Sequence, residues 1–502
     1  MAPGGGGHPV PGQATPWLRP GRQRRGKRRQ EPHSDVHSGP RLPEWHRNAV
    51  IYEVNLRHYT AEGSFRAFKQ HLPRLREMGV DILWLMPIHP VSVKGRKGLL
   101  GSPYAVADYY AVNPEFGTLE EFKQLVRAIH RAGMHVILDW VPNHTGWDHS
   151  WIEEHPDWYT RDAEGRITDP VNRETGETWG WTDVADLDFG NPAMRQAMIG
   201  AMVFWVEETG IDGFRVDVAH GIPQDFWASC CRTLYKIKPL FMLAEAEDPS
   251  LVNPGYFAAD YAWQMHEVFK GIARTQQVSE HPGEELFKGN LVSVTGRAQK
   301  EVTALDIDRQ LAEQHRAYHR GYKMYFTSNH DENAWSGSEF GNFGEGHQAF
   351  AILAATLEGM PLLYSGQESA VDRQFAFFSK DEIPWGSYPY AGFYKTIFQL
   401  KHLNKALWNA PDGGPPERIV TGRDDKVYAF MREKDGFKVV VAINLSAARQ
   451  EITLRGNRYT GRYTEIFDGR EEDLSPDFGI ELAPWGFRVW SCEPIALPEP
   501  SD

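Results

Sequence analysis

Gly213-Phe214-Arg215-Val216-Asp217-Val218-Ala219-His220 is the stretch whose reading decides the fold. Phe214, Val216 and Val218 alternate with Arg215 and Asp217, the period of two that a β-strand imposes on its faces. Arg215 and Asp217 therefore share one face. If that face is buried, the guanidinium keeps the Asp217 carboxylate ionised and in one rotamer, because a nearby opposite charge favours the charged form. Read alone, the octet fits a structural ion pair inside a barrel as well as a functional one. The rest of the chain decides between them.

Similar runs recur on both sides. The apolar patterns predict strands over 49–56, 81–88 and 135–142 before this one, and over 240–246, 260–265, 324–331 and 360–368 after it. Between them come helical spacings. Phe65, Phe68, Leu72, Leu75 and Met78 stop at Gly79; Leu119, Phe122, Leu125, Val126 and Ile129 end at Gly133. Eight strands alternating with helices predict an α/β fold, a parallel (β/α)8 TIM barrel, across 45–144 and 193–410. Residues 145–192, polar and rich in Trp, Asp and Gly, predict a small subdomain inserted after the third strand. From 411 to 502 the pattern changes to short strands over 427–430, 438–445, 451–454, 463–467 and 487–490, which predict an antiparallel β-sandwich. Residues 1–44, rich in Gly, Pro and Arg, read as a solvated, disordered tail.

Bulk properties narrow the partners. At 502 residues the chain is long enough for two or three domains. A net charge of −13 argues against nucleic acid or an anionic membrane as partner. No apolar run is long enough for a transmembrane helix. The basic run Arg22 to Arg29 lacks an apolar core, so no secretory signal is recognisable and a cytoplasmic location is expected. Three cysteines, with Cys230 and Cys231 adjacent and Cys492 distant, give neither a disulfide framework nor a metal-ligand spacing. The 17 Trp supply aromatic faces suited to sugar rings, although most Trp are core. Nothing indicates an oligomeric state.

In a TIM barrel the active site lies at the C-terminal ends of the strands. Those ends carry Asp139, Asn143 and His144; Arg215, Asp217 and His220; Glu245 and Glu247; and Asn329, His330 and Asp331. Clustered carboxylates must be held apart or share protons, which makes a purely structural reading of four strand ends hard to sustain. Two chemistries use such a cluster: metal-assisted hydrolysis or lysis, and glycoside hydrolysis by a carboxylate pair through an oxocarbenium-like transition state. A metal site favours His-x-His or His on neighbouring strands. No His-x-His occurs at a strand end, and Arg215 would repel a cation. The carboxylate pair is the better fit.

At this point the motifs resemble those of the α-amylase family, glycoside hydrolase family 13. Asp139 to His144 (DWVPNH) resembles its first short region and Gly213 to His220 its second. Glu245 sits as in the third, and Phe326 to Asp331 (FTSNHD) resembles the fourth. Ala185 to Asp188 (ADLD), Gly79 to Ile88 (GVDILWLMPI) and Gly359 to Glu368 (GMPLLYSGQE) are similar as well. The resemblance spans about residues 48–490.

It implies a retaining mechanism with Asp217 as nucleophile, Glu245 as general acid and then base, and Asp331 binding the 2- and 3-hydroxyls of a distorted sugar. Glu245 would then need a raised pKa and Asp217 a low one, about 5–5.5 Å apart. Glu247, two residues on, is the competitor for the acid role. The resemblance also implies His144 and His330 on the sugar hydroxyls, Tyr104 of Ser102-Pro103-Tyr104 as a stacking platform, and Arg215, His220 and Asn329 lining the substrate site. Trp140, Trp147 and Trp151 read as packing. No cofactor is needed for the chemistry, but relatives suggest a structural Ca²⁺ on Asn143, Asp186 and the His220 carbonyl. Ala219 stands where many starch-degrading relatives have Lys, which leaves long-chain starch preference open. The expected activity is hydrolysis of α-1,4-linked glucans, maltooligosaccharides or starch. A transglycosylase or isomerase on the same scaffold is the alternative. A non-catalytic relative would have lost its carboxylates and gained a membrane anchor.

Overall fold

Why the decisive stretch begins with Gly213 is plain in the structure, a computed structural model describing residues 42–172, 175–280 and 301–493. A Cβ at Gly213 would lie 1.8 Å from the Phe241 carbonyl oxygen of the neighbouring strand, so only glycine fits. The chain forms β1 (Ile51–Val54), β2 (Ile82–Leu85), β3 (His135–Trp140), a short pair β4 (His144–Gly146) and β5 (Val184–Asp186), then β6 (Gly213–Val216), β7 (Phe241–Ala244), β8 (Ala259–Tyr261), β9 (Tyr322–Phe326) and β10 (Met360–Tyr364). All but β4 and β5 close into one parallel eight-stranded barrel, each strand beside its predecessor in the chain and β10 beside β1. The expected TIM barrel is present.

Strand parity divides the side chains. Ile51, Ile82, Ile137, Leu243, Met324 and Leu362 fill the barrel interior, while Tyr52, Leu83, Val136, Phe214, Met242 and Tyr325 pack outward against the helices. Both faces are buried, hence the nearly unbroken apolar runs. Arg215 falls on the inner face between Phe214 and Val216. Every barrel strand is shorter than predicted, and one gives way to helix. The sixth barrel strand covers only Ala259–Tyr261, and the helix Trp263–Glu280 starts where the strand was predicted to continue. A stretch as short as Tyr261 to Met265 (YAWQM) fits either period.

The excursion after β3 is held by the antiparallel β4–β5 pair, which sets His144 opposite Asp186. It ends at Asn191, whose carboxamide accepts from the Ala193 and Met194 N–H groups and so starts the helix Pro192–Thr209. Beyond the barrel come β11 (Glu417–Arg418), β12 (Val427–Lys434), β13 (Phe437–Asn444), β14 (Gln450–Leu454), β15 (Gly461–Glu465), β16 (Glu471–Leu474), β17 (Phe478–Leu482) and β18 (Phe487–Cys492). They form antiparallel sheets of six strands and of two, around a core that includes Val440, Ala442, Ile452, Leu454 and Trp490. The predicted tail 1–44 lies almost wholly outside the described residues. Among those described, no helix is long and apolar enough to cross a membrane.

Barrel and sandwich are joined through a buried cation. Arg432 of β12 is fully buried, and it donates to the carbonyls of Gly414 (2.6 Å), Thr356 (3.0 Å), Leu357 (2.8 Å) and Trp408 (2.8 Å). Burial pulls its guanidinium down to about 10, still charged at neutral pH. Arg432→Met would leave several buried carbonyls without a donor. We expect a loss of about 3 kcal/mol, read as a lower urea midpoint; an unchanged midpoint would show that the carbonyls find other partners.

Candidate active site

Arg215 is the centre of the site. Its Nη1 lies 2.8 Å from Asp139 Oδ1 at the end of β3 and 2.9 Å from Asp217 Oδ1 just past β6. Its Nη2 lies 2.8 Å from Glu245 Oε1 just past β7, and its Nε donates to the Tyr261 hydroxyl of β8 at 3.1 Å. The Trp84 ring of β2 stands 5.1 Å from its Cζ. One guanidinium, 0 % exposed, thus gathers three carboxylates from three strand ends. Arg215 and Asp217 pair as the two-residue spacing predicted.

Three carboxylates against one cation cannot all ionise freely. Burial and the facing Glu245 carboxylate push Asp217 well above the usual carboxylate range, with Arg215 opposing. For Glu245, burial also opposes ionisation, but Arg215 and the Val218 N–H, 2.8 Å from Oε2, outweigh it and hold the carboxyl low. This reverses the expected order, and the reason is geometric. Glu245 has a guanidinium nitrogen and an amide of its own, whereas Asp217 shares Nη1 with Asp139. Val218 delivers that amide from a left-handed conformation (φ 46°, ψ 41°). For a β-branched residue this is strained backbone, of the kind held at functional sites by its surroundings.

A second group surrounds His330. Its Nδ1 donates to Glu53 Oε1 of β1 at 2.6 Å, and its Nε2 lies 2.8 Å from the Tyr104 hydroxyl and 3.3 Å from Asp331 Oδ2. Burial would lower its pKa, but Asp331 and Glu53 together outweigh that and raise it to about 9, so the ring is cationic at neutral pH. Tyr104 donates to Asp139 Oδ2 at 3.0 Å, the oxygen that the Trp84 indole N–H also reaches at 3.0 Å. Its ring is stacked on His330, 5.4 Å between centroids. His144 packs edge-on to Trp181, and burial lowers it to about 4. Burial also lowers His220, opposed by the Glu245 carboxylate.

The other candidate residues have partners of their own. Glu247 is bound elsewhere, its Oε2 accepting from the Gln264 N–H at 2.8 Å and its Oε1 lying 3.4 Å from Lys323, whereas Glu245 pairs with Arg215. Asn329 lies beneath the His330 group. It is fully buried, and its carboxamide oxygen accepts from the Glu332 N–H at 2.8 Å, shaping the turn that follows Asp331. Trp140 and Trp151 are buried, and the half-buried Trp147 donates to the Thr182 carbonyl. Glu53, Trp84 and Tyr261 do not stand out in the sequence, and Asp139 is there one rim carboxylate among several. The available signal was parity: Glu53 is in phase with the inward Ile51.

Asn143 and Asp186 are buried at the junction of barrel and excursion, where the Leu187 N–H donates to the Asn143 carbonyl at 3.1 Å. The Asn143 carboxamide oxygen faces Gly221, beside His220. These oxygens suit Ca²⁺, which takes six to eight and would draw the others from carbonyls and water. Among the described residues, no group of three or more His, Cys, Asp or Glu is arranged around a metal position.

The charge on His330 has a measurable consequence. Because its pKa lies above the ordinary 6.5, its protonation stabilises the fold fully below about pH 6.5, and that contribution is lost as pH rises through about 9. Glu53→Gln removes one of the two carboxylates raising it. The His330 titration, followed by imidazole NMR, is expected to move down by a unit or more; an unmoved titration would assign the shift to Asp331 alone.

The family profile described as "Alpha amylase, catalytic domain" matches residues 50–385, and that of "Maltogenic Amylase, C-terminal domain" matches 418–489. Alpha-amylase 3 of Dictyoglomus thermophilum is 26% identical over 462 residues, 80% of this chain and 85% of that one. Trehalose synthase/amylase TreS of Mycobacterium tuberculosis is 34% identical over 208 residues, 36% of this chain and 33% of that protein. Among solved structures, the noncanonic maltogenic alpha-amylase AmyB from Thermotoga neapolitana superposes with a TM-score of 0.75 at 26% identity, covering 88% of this chain and 98% of that one. The chain is a glycoside hydrolase belonging to the alpha-amylase family.

Proposed function

We propose that the chain hydrolyses α-1,4-linked glucans, maltooligosaccharides or starch, with retention at the anomeric carbon. The observation that carries this reading is the pairing of Asp217 and Glu245 with one guanidinium at the barrel rim. In the proposed reaction an Asp217 oxygen attacks the anomeric carbon while Glu245 protonates the departing glycosidic oxygen. This leaves a β-glycosyl ester on Asp217. Glu245, now a carboxylate, takes a proton from water, which attacks the same carbon and releases Asp217. In this reading Glu245 holds the proton and Asp217, paired with Arg215, is the carboxylate when the glycosidic oxygen arrives. Asp331 and the cationic His330 bind the hydroxyls of the reacting sugar. Tyr104 supports its ring.

A second reading is a transglycosylase or isomerase, and the stretch shared with the trehalose synthase/amylase favours considering it. The catalytic residues and the first half-reaction are the same. Only the acceptor differs, sugar in place of water.

Proton NMR of maltoheptaose with the protein separates these. Shorter products appearing first as the α-anomer support hydrolysis with retention; products longer than the substrate move the reading to transfer. Asp217→Asn is expected to lower turnover at least about 10³-fold with the fold intact, and near-normal turnover would remove Asp217 from the nucleophile role. Glu245→Gln is expected to hurt poor leaving groups more than activated aryl glycosides. We also place a structural Ca²⁺ at Asn143, Asp186 and the His220 carbonyl. EDTA should then lower the melting temperature and added Ca²⁺ restore it; an unchanged melting curve would remove the ion from the reading.

A further inference from the structure

Glu245 and Asp331 are each followed closely by a second glutamate that takes no part in the proposed reaction. Glu247 lies two residues after Glu245, and Glu332 directly follows Asp331. Both side chains run to one helix, Trp263–Glu280, which follows β8, the strand between β7 and β9. Glu247 Oε2 accepts from the Gln264 N–H at 2.8 Å in the first turn, where the helix dipole favours a carboxylate. Its Oε1 is 3.4 Å from Lys323 Nζ of β9, which also lies 2.9 Å from Asp260 Oδ1 of β8. Further along the helix, His266 Nε2 lies 3.1 Å from Glu332 Oε2 and, one turn later, Lys270 Nζ lies 2.9 Å from it. His266 Nδ1 is also 3.2 Å from the Phe326 carbonyl at the end of β9. Both His266 and Lys270 are buried. Burial opposes ionisation of Glu332, but His266 and Lys270 outweigh it and hold the carboxyl well below the usual carboxylate range.

Replacing a buried ion pair by apolar groups of similar size often costs no stability, so stability alone does not account for these contacts. What they supply is geometry. After Asp331 the backbone makes a single π turn over Glu332–Ser336, closed by the Gly337 N–H on the Glu332 carbonyl at 3.0 Å. Such turns are frequent at functional sites. In the proposed reaction Asp331 holds hydroxyls of the sugar whose glycosidic oxygen Glu245 protonates, so the two carboxylates must be spaced to one sugar residue. An error of about 1 Å in such a spacing costs about 10²-fold in rate.

We propose that Glu247 and Glu332 are positioning residues, and that the helix Trp263–Glu280 is the strut through which they fix Glu245 and Asp331 relative to each other. The proposal rests on the roles given above to those two carboxylates. Both glutamates act on the reaction only through their neighbours.

The test measures kcat and KM on an aryl α-maltoside for Glu332→Ala and Glu332→Gln, alone and combined with Asp331→Asn. Glu332→Ala is expected to lower kcat about 10- to 100-fold, with a much smaller change in KM. Glu332→Gln, which can still accept from Lys270, should recover most of the loss. In the Asp331→Asn background Glu332→Ala should cost little more, because the group it positions is already lost. An unchanged kcat in Glu332→Ala, or losses that multiply in the double variant, would overturn the proposal while leaving the glycosidase reading intact. If the wild type does not turn over the maltoside, the glycosidase reading fails, and crystal structures of the wild type and Glu332→Ala decide the strut. A change of about 1 Å or more in the separation of the Glu245 and Asp331 carboxylates supports it, and an unchanged separation overturns it. Should Glu332→Ala not fold, Glu247→Ala is judged by the same measurements, with Glu245→Gln as the background.

Discussion

The buried guanidinium of Arg215 is the interaction on which the rest of the site depends. A buried cation is tolerated only when its partners are close and well oriented, and here they come from β3, β6, β7 and β8 together. No local segment could supply them. The barrel is the device that brings strands distant in sequence into one ring, and Arg215 is where their ends become chemically one object. The same crowding sets the acid–base order. Carboxylates unequal in their share of one cation acquire unequal affinities for a proton, without any of them being chemically special.

Around this hub the structure separates two tasks. Residues facing the cleft, Asp217, Glu245 and Asp331, are the reacting and sugar-binding groups of the proposed reaction. Residues behind them, Asp139, Glu53, Trp84 and Tyr261, touch only other protein groups, yet they decide orientation and charge. Asp139 is the clearest case. It accepts from Trp84 and Tyr104 and pairs with Arg215, so one side chain connects the Tyr104 ring to the hub. Strained Val218 belongs to the same class, since its conformation aims an amide at Glu245.

Much of this was legible in the sequence because the period of two is a strict rule. Phe214 and Val216 had to face one way and Arg215 and Asp217 the other, and parallel strands buried on both faces read as apolar runs. What escaped was whatever depends on three-dimensional partners. That the Asn329 oxygen accepts from the Glu332 amide depends on a turn that spacing does not reveal. The relative proton affinities of Asp217 and Glu245 follow from how contacts to one guanidinium are divided, which spacing does not encode. Glu471 to Leu474 is too polar to stand out as a strand, and only the sheet it completes identifies it. Trp263 shows the limit of periodicity itself, because so short a stretch suits helix and strand alike.

The contact between Glu53 and His330 links β1, the first barrel strand, with the loop after β9, near the last. This makes the charge cluster a check on assembly. A barrel closed with β1 slipped by one residue would turn Glu53 outward among apolar helices and leave the His330 cation beside Arg215 with one carboxylate fewer. Misregistered closures are therefore penalised electrostatically as well as by lost packing. The arrangement that prepares the site for chemistry also distinguishes the native ring from its near neighbours during folding.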